Sequence, residues 1–242
     1  MNNLIYGLHG FLGTGSDWNQ STQLLTQENL VVTPSYLSDP KFKSLSLNVF
    51  YNDIQSYFRP EIKRKIFIGY SLGGRIGLEL LSRYPNLFEH WIFISTHPGL
   101  IEDHEKNKRI ENDEIWSDKI KKIGDNYSWN EFLKDWNQQP VLSESKNNFS
   151  NLENLLIESL VSALNIYSLG RQFDKRDVLK SNEKKVTWVN GELDQKFLSL
   201  SNELEQNKIL LNYKRIFGGH RLLIDNPNEI RALLQEVLQQ SS

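Results

Sequence analysis

Short apolar runs, separated by polar and glycine-rich segments, recur along most of the chain. Each run spans three to seven residues and is rich in β-branched or aromatic side chains, as is typical of strands buried on both faces of a parallel sheet. Stretches at helical spacing separate several of them. This alternation predicts an α/β fold with a mostly parallel central sheet and helices on both faces. The predicted strands are residues 4–8, 30–33, 66–68, 91–95, 186–190 and 211–217.

Helical patterns lie between these runs. Apolar side chains follow the third run at helical spacing, a second helix is predicted over residues 50–57, and a closing helix over 228–238. Residues 101–180 are strongly charged at first and then aromatic, and they favour helices over strands. We interpret this segment as a helical lid inserted into a single domain, 1–242. The alternative is a surface decoration that does not contact the substrate.

Composition limits the possible partners. The 242 residues carry a net charge of −2, with acidic and basic residues mixed, so no basic stripe points to nucleic acid. The absence of cysteine excludes disulfides and thiolate metal sites. No apolar run approaches the roughly 18 residues of a membrane span, and the chain begins almost directly with an apolar strand. We therefore expect a cytoplasmic protein; the sequence predicts no oligomeric state.

A nucleophile motif follows the third apolar run. Residues 69–73 read Gly-Tyr-Ser-Leu-Gly, which is the G-x-S-x-G pattern between a strand and a helix. In the α/β-hydrolase fold this pattern forms a sharp elbow that exposes the serine, here Ser71. A Cβ at position 69 or 73 would clash in so tight a turn, which explains both glycines. The alternative is a chance Gly-Ser turn, which the flanking strand and helix disfavour.

Two further residues complete a predicted catalytic triad. Serine needs an imidazole to accept its proton, and the imidazole needs a carboxylate, in the chain order Ser, Asp or Glu, His. Ser71, Asp194 and His220 meet this order, and each follows a strand-like run. Glu192 is the rival carboxylate and His97 the rival histidine. The remaining candidates, His90 and His104, look exposed.

The glycine-rich loop after the first strand is expected to assist the serine. Its spacing matches no nucleotide-binding motif, and in this fold it supplies one N–H group of the oxyanion hole. We assign the two donors to the backbone N–H groups of Phe11 and Leu72. His9 is expected to order the loop rather than to act as a base, and Ser16 or Asp17 to cap a helix that begins near Trp18.

Three arginines suggest an acidic substrate. Arg75 follows Ser71 by four residues, so it lies on the same side of the predicted helix. Arg109 and Arg171 add cations to the predicted lid, and guanidinium groups bind carboxylates in a bidentate manner. The alternative for Arg75 is a surface salt bridge.

Six motifs together resemble one family, the menaquinone and phylloquinone pathway enzyme 2-succinyl-6-hydroxy-2,4-cyclohexadiene-1-carboxylate synthase, known as MenH. The similarity runs through most of the chain. The elbow motif combined with the Asp-Trp-Asn-Gln-Gln-Pro motif of the lid is its most specific part. The motifs are LHGFLGTGSDW, GYSLGGR, HPGL, DWNQQPVL, GELDQKF and GGH.

The resemblance implies a lyase that needs neither metal nor organic cofactor. The triad would act as a base that removes a proton from a small tricarboxylate and expels pyruvate. By position, Tyr70, Arg75, Arg109 and Trp136 match the family's substrate-binding residues. A further carboxylate contact is left open between Lys146 and Arg171. The alternatives are an ester or thioester hydrolase that works through an acyl-enzyme, and a non-catalytic binding protein.

Overall fold

All six apolar runs form strands of one sheet, and every neighbouring pair is parallel. The computed structural model describes residues 3–147 and 150–240. The last strand is shorter than predicted, because it lies at the sheet edge and the adjacent Leu211 is 61% exposed. The strands are β1 (Asn3–Leu8), β2 (Leu30–Val32), β3 (Arg64–Tyr70), β4 (His90–Ile94), β5 (Val186–Gly191) and β6 (Tyr213–Ile216).

The order of the strands across the sheet is β2-β1-β3-β4-β5-β6. The chain therefore moves from β1 to one side and then returns to continue on the other. Loops that follow β1 and β3 leave the sheet side by side at this reversal, which is where open α/β sheets collect their sites. The topology thus brings the glycine-rich loop next to the serine elbow, and the predicted α/β class is confirmed.

Ten α-helices connect and cover the strands in the described part of the chain. They are α1 (Asn19–Thr22), α2 (Leu47–Gln55), α3 (Leu72–Arg83), α4 (Asp103–Lys121), α5 (Asn126–Asn137), α6 (Ile157–Ile166), α7 (Arg176–Ser181), α8 (Gln195–Gln206), α9 (Leu222–Asp225) and α10 (Pro227–Gln239). None of these helices has the length and the apolar composition needed to cross a membrane.

The first helical turn begins earlier than predicted. A 3-10 helix spans Gly15–Trp18, and the residue before it is Thr14 rather than Ser16 or Asp17. Gly15 allows this start because it passes so close to β2 that an added Cβ would lie 1.9 Å from the carbonyl oxygen of Thr33. The carboxylate of Asp17 instead accepts the backbone N–H of Thr14 at 3.3 Å. The turn therefore packs directly against the second strand.

The two faces of the sheet have different side chains because successive residues of a strand point to opposite sides. One face is aromatic, with Phe67, Trp91 and Phe93 buried in one cluster. The other face is aliphatic, formed by Ile66, Ile68, Ile92 and Ile94. α10 covers the aliphatic face through Ile230, Leu233, Leu234 and Val237.

Helices α4 to α7 (residues 103–181) lie between β4 and β5 and form the helical insertion. Its aromatic residues pack on one another: the ring centroids of Trp116 and Trp136 are 4.9 Å apart, and those of Phe132 and Trp136 are 6.0 Å apart. Trp136 also contacts Phe11 of the first loop, at 4.9 Å. The insertion thus reaches the sheet edge that carries the serine, while its action as a lid stays a prediction.

Candidate active site

The serine elbow joins β3 to α3 through a strained residue. Ser71 has φ 50° and ψ −109°, a conformation that L-residues rarely adopt. Its N–H donates to the carbonyl of Ile94 at 2.9 Å, which anchors the turn to β4. An added Cβ on Gly69 would lie 2.7 Å from the Cα of Gly74, and one on Gly73 would lie 2.2 Å from the carbonyl oxygen of Leu8. The predicted need for both glycines is confirmed.

The three predicted triad residues meet at the carboxyl edge of the sheet. The hydroxyl oxygen of Ser71 lies 3.2 Å from Nε2 of His220, and Nδ1 of His220 lies 2.7 Å from Oδ2 of Asp194. The other oxygen of Asp194 accepts the N–H of Phe197 and caps α8. Glu192, the rival carboxylate, has an exposed side chain. This geometry lets the imidazole accept a proton from the serine while the carboxylate holds its tautomer.

The other candidate histidines lie outside the triad. His97 lines the same cavity, but its Nδ1 accepts the N–H of Gly99 at 3.1 Å, and burial lowers its pKa to about 3. The expectation that His90 is exposed is wrong. This residue opens β4 and is covered by β5, so that its Nε2 lies 2.8 Å from the hydroxyl of Thr187. His104 is exposed, as expected.

The loop after β1 is held by a buried histidine, as predicted. Nδ1 of His9 lies 2.8 Å from the carbonyl of Gly10, and the ring stacks on Tyr36 with centroids 4.2 Å apart. Burial lowers the pKa of His9 to about 4, which keeps the ring neutral. Phe11 of this loop lines the cavity, as does Leu72, the first residue of α3. The first N–H groups of a helix have no partner within it, so Leu72 has a free donor direction.

One cavity gathers the predicted residues. Its wall combines the elbow, the loop after β1, the loops after β5 and β6, and the helical insertion. Asp194 is 4% exposed and lies behind His220, outside the lining. The other eight predicted site residues all line the cavity: Phe11, Tyr70, Ser71, Leu72, Arg75, Arg109, Trp136 and His220.

Arg75 reaches the cavity from α3, one turn after Ser71. Its Nη1 donates to the carbonyl of Tyr167 and to Oε1 of Gln172, so its bonds in the described part of the chain go to neutral oxygens. Burial, with the charge of Arg109, lowers the pKa of Arg75 to about 9. The surface salt-bridge alternative is wrong, because the described residues offer Arg75 no carboxylate within 4 Å. The guanidinium therefore offers positive charge to a ligand.

The other predicted cations differ in their environments. Nε of Arg109 lies 2.9 Å from both carboxylate oxygens of the buried Asp113, so its charge is already paired. Arg171 forms a surface ion pair with Glu114 at 3.1 Å and does not line the cavity. Lys146 is also outside the cavity lining. Neither of the two open alternatives, Lys146 and Arg171, reaches the site.

Comparison of the sequence with known proteins identifies relatives over nearly the whole chain. The 2-succinyl-6-hydroxy-2,4-cyclohexadiene-1-carboxylate synthase of Klebsiella pneumoniae is 26% identical over 246 residues, covering 96% of this chain and 92% of that protein. No family model matches the chain. The chain is a relative of these synthases. The resemblance inferred from the motifs is thereby confirmed.

Solved structures agree on the fold. The structure of MenH from S. aureus superimposes with a TM-score of 0.79 at 20% identity and covers 99% of this chain and 94% of that one. A thermophilic esterase from Thermogutta terrifontis superimposes with a TM-score of 0.68 at 14% identity, covering 99% and 90%. The chain has the α/β-hydrolase fold. Because synthase and esterase share it, the fold alone does not choose between their reactions.

Three charged residues of the cavity were not predicted to be site residues. Lys196 and Arg221 line the cavity, and each stands within two residues of a triad member along the chain. Their closeness to the triad along the chain is the sequence feature that could have identified them. Asp17 also lines the cavity, and burial raises its pKa to about 6. Within the described ranges no three histidine, aspartate or glutamate side chains are grouped in a way that could hold a metal ion.

Proposed function

We propose that this chain is a 2-succinyl-6-hydroxy-2,4-cyclohexadiene-1-carboxylate synthase, a carbon–oxygen lyase of menaquinone or phylloquinone biosynthesis. Its substrate would be 2-succinyl-5-enolpyruvyl-6-hydroxy-3-cyclohexene-1-carboxylate, which we call the enolpyruvyl tricarboxylate. The full-length similarity to the named synthases supports this reaction. We also propose that the enzyme works in the cytoplasm, which fractionation of cells that produce the tagged chain would test.

The environment of Arg75 is the observation that carries the proposal. An ester hydrolase with a neutral substrate has no use for a guanidinium one helical turn from its serine, held only by neutral oxygens. A substrate with three carboxylates provides the missing negative charge. Charge-assisted hydrogen bonds to such a group are about twice as strong as neutral ones. The cavity is therefore better suited to a polyanion than to a neutral ester.

The proposed reaction begins with a proton transfer. His220 accepts the hydroxyl proton of Ser71 across the 3.2 Å contact, and the serine oxygen takes the proton α to the succinyl carbonyl. Asp194, 2.7 Å from the other ring nitrogen, stabilises the imidazolium that forms. The serine oxygen forms no bond to carbon in this scheme. It relays a proton between substrate and imidazole.

The electron pair released by this proton transfer enters the ring. The succinyl carbonyl becomes an enolate, and the N–H groups of Phe11 and Leu72 stabilise its oxygen; one such donor contributes roughly 10²–10³ in rate. The ring alkene then shifts and the carbon–oxygen bond to the enolpyruvyl group breaks. The expelled enolpyruvate takes up a proton and becomes pyruvate. The ring, which held one double bond in the substrate, now holds two, and this is the diene of the product.

Ester or thioester hydrolysis remains the second candidate, because the same Ser–His–Asp geometry and the esterase structure would suit an acyl-enzyme. The two reactions differ in their products. We expect the purified chain to release one pyruvate per enolpyruvyl tricarboxylate. A coupled lactate dehydrogenase assay measures this release as the oxidation of NADH. Rapid hydrolysis of p-nitrophenyl esters without any pyruvate would overturn the lyase assignment.

A further inference from the structure

Arg221 directly follows His220 and lines the same cavity, although no motif pointed to it. Arg221 is only 5% exposed. Nη1 donates to the carbonyl of Lys146 at 3.0 Å and Nη2 to Oδ1 of Asn137 at 2.6 Å. Its backbone N–H donates to the hydroxyl of Ser145 at 2.9 Å. The helical insertion therefore fixes this guanidinium at the wall of the cavity.

Among the described residues, the charge of Arg221 has no counter-ion at contact distance. Both acceptors of its guanidinium are neutral oxygens, and within the described residues no carboxylate oxygen lies within 4 Å of it. The nearby Asp225 is occupied by the backbone N–H groups of Lys146 and Gly219, at 2.9 and 3.0 Å. A guanidinium has five N–H donors, of which these bonds use two. A buried, unpaired cation is costly unless a ligand supplies the negative charge.

The cations of the cavity fall into two groups. The charge of Arg109 lowers the pKa of both Arg75 and Lys196, after the larger effect of burial, so Arg109 is electrostatically linked to each of them. Arg221 instead directly follows His220 and is bonded to Asn137 and Lys146 of the helical insertion. The ring of Tyr70 lies near that of His220, with centroids 5.8 Å apart. Arg221 thus forms a second positive site on the histidine side of the cavity.

We propose that Arg221 binds one carboxylate of the substrate, as an anion site separate from the group of Arg75, Arg109 and Lys196. This inference rests on the proposed function, which supplies a substrate with more than one carboxylate. Arg221 would make the further carboxylate contact for which neither Lys146 nor Arg171 reaches the site. Arg221 then determines specificity: it favours a polyanion long enough to span both positive groups.

Binding without turnover tests this assignment most directly. Calorimetry would measure the affinity for the enolpyruvyl tricarboxylate of three proteins that all carry Ser71→Ala. The parent keeps Arg221, and the other two also carry Arg221→Met or Arg221→Gln. Loss of a charge-assisted bond predicts about 10- to 100-fold weaker binding for both variants. Gln keeps an amide donor for the neutral oxygens, so it separates the lost charge from a lost structural bond. Arg221→Lys should recover part of the affinity.

The matched control is Arg171→Met, which removes a lid arginine that does not line the cavity and should bind like the parent. In the active chain, Arg221→Met should raise KM and leave kcat within about threefold. An unchanged affinity in Arg221→Gln would overturn the assignment. A large loss of kcat at constant KM would also overturn it, because Arg221 would then only position His220.

The same experiment separates this inference from the proposed function. Pyruvate release by the wild-type chain is measured in parallel. If pyruvate is released and Arg221→Met binds normally, only the role of Arg221 is refuted. If no pyruvate is released, the lyase assignment fails, and the calorimetric comparison still decides whether Arg221 holds this tricarboxylate. A complete lack of binding by the parent would refute both.

Discussion

Asp17→Asn tests how much free energy it costs to ionise the partly buried carboxyl group of Asp17, after the loop that follows β1. Burial raises the pKa of Asp17 from 3.8 to about 6, although its hydrogen bonds to Thr14 act in the opposite direction. At about 1.4 kcal/mol per pH unit, this difference corresponds to about 3 kcal/mol. Asn keeps an oxygen that accepts the N–H of Thr14 but cannot ionise. The substitution therefore removes the ionisation and keeps the bond.

The sign follows from the raised pKa. The folded chain holds this proton more tightly than the unfolded chain, so the stabilisation by Asp17 is fully present below about pH 4 and is lost as pH rises through about 6. Between pH 4.5 and 7, wild type should lose about 2 kcal/mol of unfolding free energy relative to Asp17→Asn. Urea titrations followed by tryptophan fluorescence at both pH values measure this difference.

A control with the opposite sign is available. Hydrogen bonds from Ser128 lower the pKa of the exposed Asp125, so wild type should lose stability relative to Asp125→Asn as pH falls. If the difference between wild type and Asp17→Asn is the same at pH 4.5 and 7, the carboxylate is not buried as described.

Three further substitutions test the site and the elbow. Asp194→Asn replaces the carboxylate that fixes the tautomer of His220 and stabilises its positive charge with a neutral amide, and should lower kcat by about 10³-fold or more; a loss below tenfold would contradict this. Arg75→Ala should raise KM for the tricarboxylate by about 30-fold, or about 2 kcal/mol, and wild-type kinetics would show that Arg75 does not bind the substrate. Gly73→Ala pushes a Cβ to 2.2 Å from the carbonyl oxygen of Leu8 and should lower the unfolding free energy by about 2 kcal/mol or more. An unchanged urea midpoint would refute that contact.

Features determined by local sequence could be predicted. The four inner strands are buried and appear as continuous apolar runs, and the two less buried edge strands, β2 and β6, were also located. The elbow was predicted because its two glycines and its serine are set by contacts between adjacent elements, β3 and α3. The triad order is also readable along the chain, since Ser71, Asp194 and His220 each follow a strand.

Features that depend on distant segments could not be predicted. His90 looked exposed because nothing near it in sequence reveals that β5 places Thr187 against its ring. Arg221 was missed because Asn137 and Lys146, more than 70 residues earlier, hold its guanidinium at the cavity. Arg171 has a suitable side chain in the predicted lid, but it lies on the outer surface of the helical insertion and pairs with Glu114 there.

Pyruvate release by wild type and by Ser71→Ala, measured side by side, tests the central claim that this serine removes the substrate proton. The hydroxyl oxygen of Ser71 is the atom that His220 can activate, at 3.2 Å. We predict that wild type converts the enolpyruvyl tricarboxylate to pyruvate and diene. Ser71→Ala should still bind this substrate but release pyruvate at least about 10³-fold more slowly. A Ser71→Ala rate close to that of wild type would contradict the account, because another group would then be the base.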